Sequence, residues 1–213
     1  MELLVLGIIV LIVLGIGICI LVYFVSSGNS NGDSYHSQTT YDWEPTPEYK
    51  RVGMQGEATA VRATMSILRG NDRLFTNVHI QYDGKETELD SVIVNEYGVF
   101  IIEVKNYVGY ITGSEDDYDW IKYKKTDAGN TYEKTVRNPI KQVKRQIYIL
   151  ARYLEYYGSK VWVRGYVILI NGNSPVKSEY ILWSIQDIDR TIHTPDRKML
   201  NKQTIDAISK LLS

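Results

Sequence analysis

Gly98-Val99-Phe100-Ile101-Ile102-Glu103-Val104-Lys105 is the stretch on which the fold of this chain turns. Its two alternating rows both begin apolar, which predicts a central strand buried on each face. Glu103 and Lys105 then fall on one row, two residues apart, continuing Val99 and Ile101. Charge at such a place is costly unless it is paired, solvated at a cleft, or bound to metal. The strand is therefore a core element with a chemical end.

The residues just before it sharpen this. Asn95-Glu96-Tyr97-Gly98 reads as a turn and Thr87 to Val94 as the preceding strand. With a four-residue loop, Val94 faces Val99, and counting back sets Asp90 opposite Glu103. Side chains so opposed have Cβ atoms about 4.5–5.5 Å apart. Two carboxylates that close repel unless one is protonated or a cation lies between them. Lys105 offsets part of the charge, but a hard divalent cation with oxygen ligands meets the geometry better. The plainer alternative is a cross-strand ion-pair cluster of structural value only. Glu57 is a third carboxylate: Gly53 to Leu68 has helical spacing, with Glu57, Val61, Met65 and Leu68 on one face. There it either reaches the acidic pair or simply sits near a helix start, where the dipole favours it.

Further along, Asn77 to Tyr82 alternates as a strand and Asp83-Gly84 turns. Short strands are expected at Tyr110 to Thr112 and Asp119 to Tyr123, flanking Glu115-Asp116-Asp117, which reads as a solvated turn. Asn138-Pro139 opens a long helix by cap and first-turn preference. Ile140, Val143, Ile147, Leu150, Ala151 and Leu154 form its apolar stripe, and Gly158 ends it. Val161 to Ile170 and Tyr180 to Trp183 are β-prone, and Lys202 to Leu212 reads as a closing helix. The order predicts a mixed α/β domain with helices covering a central sheet. Lys141, Lys144, Arg145 and Arg152 make the long helix basic, either as a phosphate-contacting face or as an ordinary solvated one. His36, His79 and His193 show no ligand spacing.

Ahead of the domain, Leu3 to Val25 is an unbroken apolar run, long enough to cross a hydrocarbon core of about 30 Å. A cleaved signal peptide is the competing reading; it fits less well, because the run is long for one and no Lys or Arg precedes it. The expectation is a transmembrane anchor over 1–25, a Ser/Gly/Asn/Pro-rich flexible linker over 26–48, and one domain over 49–213. Five of the 25 acids and none of the 24 basic residues lie in 1–49, leaving the rest at 24 against 20, a net of +4. A mildly basic domain is compatible with nucleic acid. The single cysteine, Cys19, excludes a disulfide framework or a cysteine zinc site within one chain.

Several motifs, in order, resemble the nuclease-related domain (NERD) family. They are Gly56-Glu57, Leu89-Asp90, Gly98 through Asn106 followed by Gly109, Trp120, and Asn138-Pro139-Ile140-Lys141-Gln142. The resemblance covers roughly Val52 to Asn171. It implies a restriction-endonuclease-like fold similar to that of the PD-(D/E)xK nucleases, here preceded by one transmembrane helix. Leu89 stands where that name has proline. It also implies that Asp90 and Glu103 hold Mg²⁺ (or Mn²⁺), with Glu57 supporting the metal. Lys105 would polarise the attacking water, and Gln142 would contact the site or the nucleic-acid backbone. Lys141, Lys144 and Arg145 are the candidate backbone-binding residues. The expected activity is phosphodiester hydrolysis, on DNA in preference to RNA, by a single-pass membrane protein whose domain faces the cytoplasm. A non-catalytic, membrane-tethered binding module on the same scaffold is the alternative.

Overall fold

The computed structural model describes residues 48–125 and 129–213. The expected anchor (1–25) and all of the expected linker but Glu48 lie outside the described residues. Among the described residues, no helix is long and apolar enough to cross a membrane. In chain order the elements are α1 (Glu48–Ile67), β1 (Arg73–Tyr82), β2 (Lys85–Asn95), β3 (Gly98–Lys105), β4 (Tyr110–Thr112), β5 (Asp119–Lys125), β6 (Thr131–Arg137), α2 (Pro139–Tyr156), β7 (Val163–Leu169), β8 (Ile181–Leu182), α3 (Ile185–His193) and α4 (Lys202–Leu212).

β3 is central, as its two apolar rows require: every residue but Lys105 is buried. The main sheet runs β1-β2-β3-β7-β8. The β1–β2–β3 meander is antiparallel, and β7 and β8 then add parallel strands. Crossing from β3 to β7 takes the chain through the small antiparallel sheet β4-β5-β6 and helix α2. The mixed sheet with four helices is consistent with a nuclease-like fold.

Each face of β3 has its own core. Val99 and Ile101 pack with Val92, Val94, Val163 and Val167 against Ile140, Val143, Leu150 and Leu154 of α2 and Ile205 and Ile208 of α4. Phe100, Ile102 and Val104 pack with Ile93 against Ile188 and Ile192 of α3, and Ala60 and Ile67 of α1 join that side. Burying residues of this size stabilises by about 1.5–3 kcal/mol each, which makes the doubly covered strand the axis of the domain.

The register Val94↔Val99 is the expected one, although Asn95 pairs with Gly98 and the loop is only Glu96-Tyr97. Three expectations need correction. The first concerns α1, where Met65 is 60% exposed and Gly56, Ala60, Thr64 and Ile67 turn inward, while of the expected row Leu68 packs on the same core and Glu57 and Val61 are half-buried at the cavity. Small residues win the inward face because the helix lies close: a Cβ on Gly56 would stand 2.8 Å from both Asn106 Cβ and Ile170 Cδ1. Second, the sequence predicts no strand at β6 and no helix at α3, because both carry weak local signals. Only Val136 of β6 is even partly buried, and α3 buries just Ile188, Ile192 and His193. His193 secures α3, its Nδ1 facing Asp189 Oδ1 at 2.7 Å and its Nε2 facing Asp72 Oδ2 at 2.8 Å.

Third, the acidic turn is not simply solvated. Glu115 Oε1 pairs with Lys144 Nζ at 2.8 Å, and Asp117 Oδ2 accepts from Ser114 N at 2.7 Å. Asn138 ties this loop to α2. Its Oδ1 accepts from Ile140 N at 2.9 Å as the helix cap, while its Nδ2 points at the carbonyls of Asp117 (2.8 Å), Glu115 (3.0 Å) and Ser114 (3.3 Å). Fully buried Trp120 donates to the same Ser114 carbonyl at 2.8 Å. Asn138→Ala removes the cap and the donor to the part-buried carbonyls of Glu115 and Asp117, so urea unfolding should show a loss of about 1–2 kcal/mol.

Candidate active site

Glu103 is the least accessible charged side chain of the sheet, with no exposed side-chain surface. Its carboxyl oxygens accept three N–H donors: Lys105 Nζ at 2.5 Å and Gln142 Nε2 at 2.6 Å on Oε1, and Gln146 Nε2 at 2.6 Å on Oε2. Gln142 and Gln146 are one turn apart on α2 and project together onto β3. Gln146 is itself fully buried and also donates to the Glu88 carbonyl of β2 at 3.0 Å. Its own Oε1 is buried and finds no donor among the described residues. Lys105 keeps about a fifth of its side chain exposed, so it joins the buried carboxyl to solvent. Burial works to lower its ammonium, but the charge of Glu103 and their hydrogen bond prevail, and the group is held above its ordinary value.

Asp90 reaches the same strand by a different route. The β2–β3 pairing stops at Ser91↔Ile102, one step before Asp90 and Glu103 would face each other. Across β1, the pairs Thr76↔Ser91 and Val78↔Leu89 skip Asn77 and Asp90. Asn77 has φ +53°, in the left-handed region that Asn tolerates better than most residues. Side-chain alternation breaks at the same place, since Leu89 and Val92 both join the core on the α2 side. The kink turns the Asp90 carboxyl onto the ladder, where Oδ2 accepts from Val104 N at 2.8 Å.

With Glu57, Thr76, Asn77, Ser91 and Val104, Asp90 lines a cavity of about 280 Å³ under α1. The close packing at Gly56 is what brings Glu57 to this rim. Burial first, and then the charge of Glu103, push the Asp90 carboxyl up to about 7, against the Val104 N–H bond and Lys105; Glu57 adds to the rise. The structure thus brings Asp90, Glu103, Lys105, Gln142 and Gln146 together around the C-terminal half of β3, with Glu57 across the cavity from Asp90. Among the described residues, no group of three or more His, Cys, Asp or Glu side chains converges as a metal site.

The candidate backbone-binding residues on α2 are engaged within the chain. Lys144 pairs with Glu115, Lys141 lies 3.7 Å from Asp116, and Arg145 donates to the Glu86 carbonyl at 3.0 Å. Residues that the sequence did not single out for the site are Asn77 and Tyr107. Burial first, against the charge of Lys105, holds the Tyr107 hydroxyl above its ordinary value, and Glu103 contributes. Nothing local marks either one; their parts depend on strands distant in sequence.

The model of the nuclease-related domain family matches residues 52–170, more than half of the chain. The chain belongs to the NERD family. An uncharacterized protein of Bacillus anthracis is 36% identical to it over 64 residues, 29% of this chain and 30% of that protein. The chain thus spans under a third of that relative's length. No solved structure matches the chain.

The NERD motifs acquire physical reasons here. Gly56 permits the approach of α1, and Gly109, at φ +101°, lies where a Cβ would be 2.1 Å from the Tyr123 carbonyl oxygen. Trp120 and Asn138 fix the start of the helix that supplies both glutamines. The raised Asp90 carboxyl makes a signed prediction. Its folded value of about 7 exceeds the ordinary 3.8, so it retains a proton that the unfolded chain releases, and its contribution to stability falls as pH rises through that window. Asp90→Asn keeps an acceptor for Val104 N and removes the titration. Urea unfolding across this range should show the wild type losing stability relative to the variant; parallel curves would contradict the assignment.

Proposed function

We propose that this NERD protein is a metal-dependent nuclease that hydrolyses nucleic-acid phosphodiester bonds, DNA before RNA, from a membrane tether. The observation that carries the reading is the meeting of Asp90, Glu103 and Lys105 at one end of β3, with the Asp90 carboxyl open to a cavity. The donor set fits a hard cation. Mg²⁺ commonly takes only one or two protein carboxylates and fills its remaining positions with water and phosphate oxygens. The Asp90 carboxyl that lines the cavity, the spare lone pairs of Glu103 Oε2 and the orphaned Gln146 Oε1 are the oxygens such an ion would meet. Asp90 and Glu103 would hold the ion, and Glu57 would support it from the rim.

When bound, such an ion stabilises charge on the phosphoryl oxygens and lowers the pKa of a water. The protein's own groups do the rest. Lys105 carries a donor and a positive charge at the solvent end of the site, where it can orient the water or meet negative charge as it develops on phosphate. Gln142 and Gln146 keep Glu103 in one rotamer. The tether rests on the apolar run Leu3–Val25. A cytoplasmic orientation follows from where nucleic acid is found.

The test is cleavage of labelled DNA and RNA by the full-length chain in detergent, with Mg²⁺, Mn²⁺ or chelator. Asp90→Asn and Glu103→Gln should each bring metal-dependent cleavage to background, a fall of at least about 10²-fold, with the circular-dichroism spectrum unchanged. Cleavage that survives both changes would refute the reading. A second reading has its own support: every N–H bond to Glu103 comes from within the chain, and no three-ligand cluster is present among the described residues. A non-catalytic binding module predicts binding that chelation leaves untouched, and no turnover with any metal.

A further inference from the structure

The basic surface best placed to receive a nucleic-acid strand is on the small sheet, not on α2. In β5 and β6, residues two apart share a face, and the register sets Trp120 against Val136, Lys122 against Lys134, and Lys124 against Tyr132. Ile111 of β4 lies beside Lys122. One end of this face is therefore apolar and joined to the core through Ile111, Trp120 and Val136. The other end carries three lysines and the 59% exposed Tyr132, with no acidic residue in the row. Glu133, the acid of β6, pairs with Tyr123 and so points to the opposite face.

Two features set this row apart from an ordinary solvated strand. Lys122 and Lys134 are directly opposed, an arrangement of like charges that destabilises a sheet. Burial, and then Lys134 and Lys124, hold the Lys122 ammonium below its ordinary value. Among the described residues, neither Lys122 nor Lys124 has a carboxylate partner, whereas Lys141 and Lys144 of α2 both have one. The row also leads to the site. Lys122 Nζ stands 5.7 Å from the centre of the Tyr107 ring, and Tyr107 lies within the fields of Lys105 and Glu103.

We propose that Lys122, Lys124 and Lys134, with Tyr107 and Tyr132, form a track that binds the phosphodiester backbone of a nucleic-acid strand and guides it to the Asp90–Glu103–Lys105 site. This rests on reading the chain as one that acts on nucleic acid. The lysines neutralise phosphates and relieve their mutual repulsion on binding; the exposed tyrosine offers a stacking surface that suits any base. Sequence-independent binding with strong salt dependence is the consequence.

The experiment measures binding of a fluorescent oligothymidine of about 20 nucleotides to the full-length chain, in chelator, over a range of salt, with a duplex of the same length in parallel. K122Q/K124Q/K134Q should weaken binding at least about tenfold at low salt and reduce the slope of log K against log salt by about 2. K122R/K124R/K134R should restore both. K141Q/K144Q/R145Q, which removes cations already paired within the chain, should change affinity less than about threefold. The melting temperature and circular-dichroism spectrum of the glutamine set, read beside its affinity, separate lost binding from lost folding. Wild-type affinity and slope in the glutamine set would overturn the track, as would a wild-type chain that binds neither probe. Lysine-dependent binding without metal-dependent cleavage would leave the track standing and defeat the nuclease reading alone.

Discussion

A buried carboxyl needs donors, and in this protein Glu103 obtains all of its own from two directions. Lys105 approaches along the same strand, and Gln142 and Gln146 approach from α2. An unsatisfied polar group at the centre of the sheet would cost about as much as a sizeable fraction of the domain's net stability. The position of α2 over β3 is thus as much an electrostatic requirement as a packing one. The features that fix the start of that helix serve the same group: the Asn138 cap, the loop carbonyls bound to it and the fully buried Trp120.

Asp90 shows how a second charge is brought near without being buried in the same manner. A regular β2 would point it at α2 beside Glu103, where two carboxyls would compete for the same donors. The break at Asn77 and Asp90 turns it instead onto the Val104 N–H and towards a cavity under α1. The two carboxyls still feel each other, since Glu103 is the main charge raising the Asp90 pKa. One end of one strand therefore holds a clamped acid and an acid that trades protons near neutrality, with a lysine between them and solvent. Such pairs of groups with divergent environments are common at functional sites.

Charge is also distributed by what it meets within the fold. Lys141 and Lys144 of α2 are matched by the acidic loop that docks on them, whereas Lys122 and Lys124 of β5 have no carboxylate partner among the described residues. A net charge alone does not distinguish these two cases. Which cations remain to meet a ligand depends on which ones the chain has already paired.

Signals that act within a few residues were readable from the amino-acid order. The twin apolar rows of β3, the register Val94↔Val99, the Asn138-Pro139 helix start and the closing helix Lys202–Leu212 all follow from alternation, turn chemistry and capping. The family motifs were readable for the same reason, being short and ordered. What needed the folded chain were contacts between residues far apart. The inward face of α1 depends on how closely Asn106 and Ile170 approach Gly56. The turning of Asp90 depends on the backbone of Asn77, a strand away. The pairing of Lys144 depends on a loop whose acids look solvated until it folds back onto the helix. Local periodicity specifies elements and their caps; packing between distant segments sets which side chains face each other, and with it the chemistry.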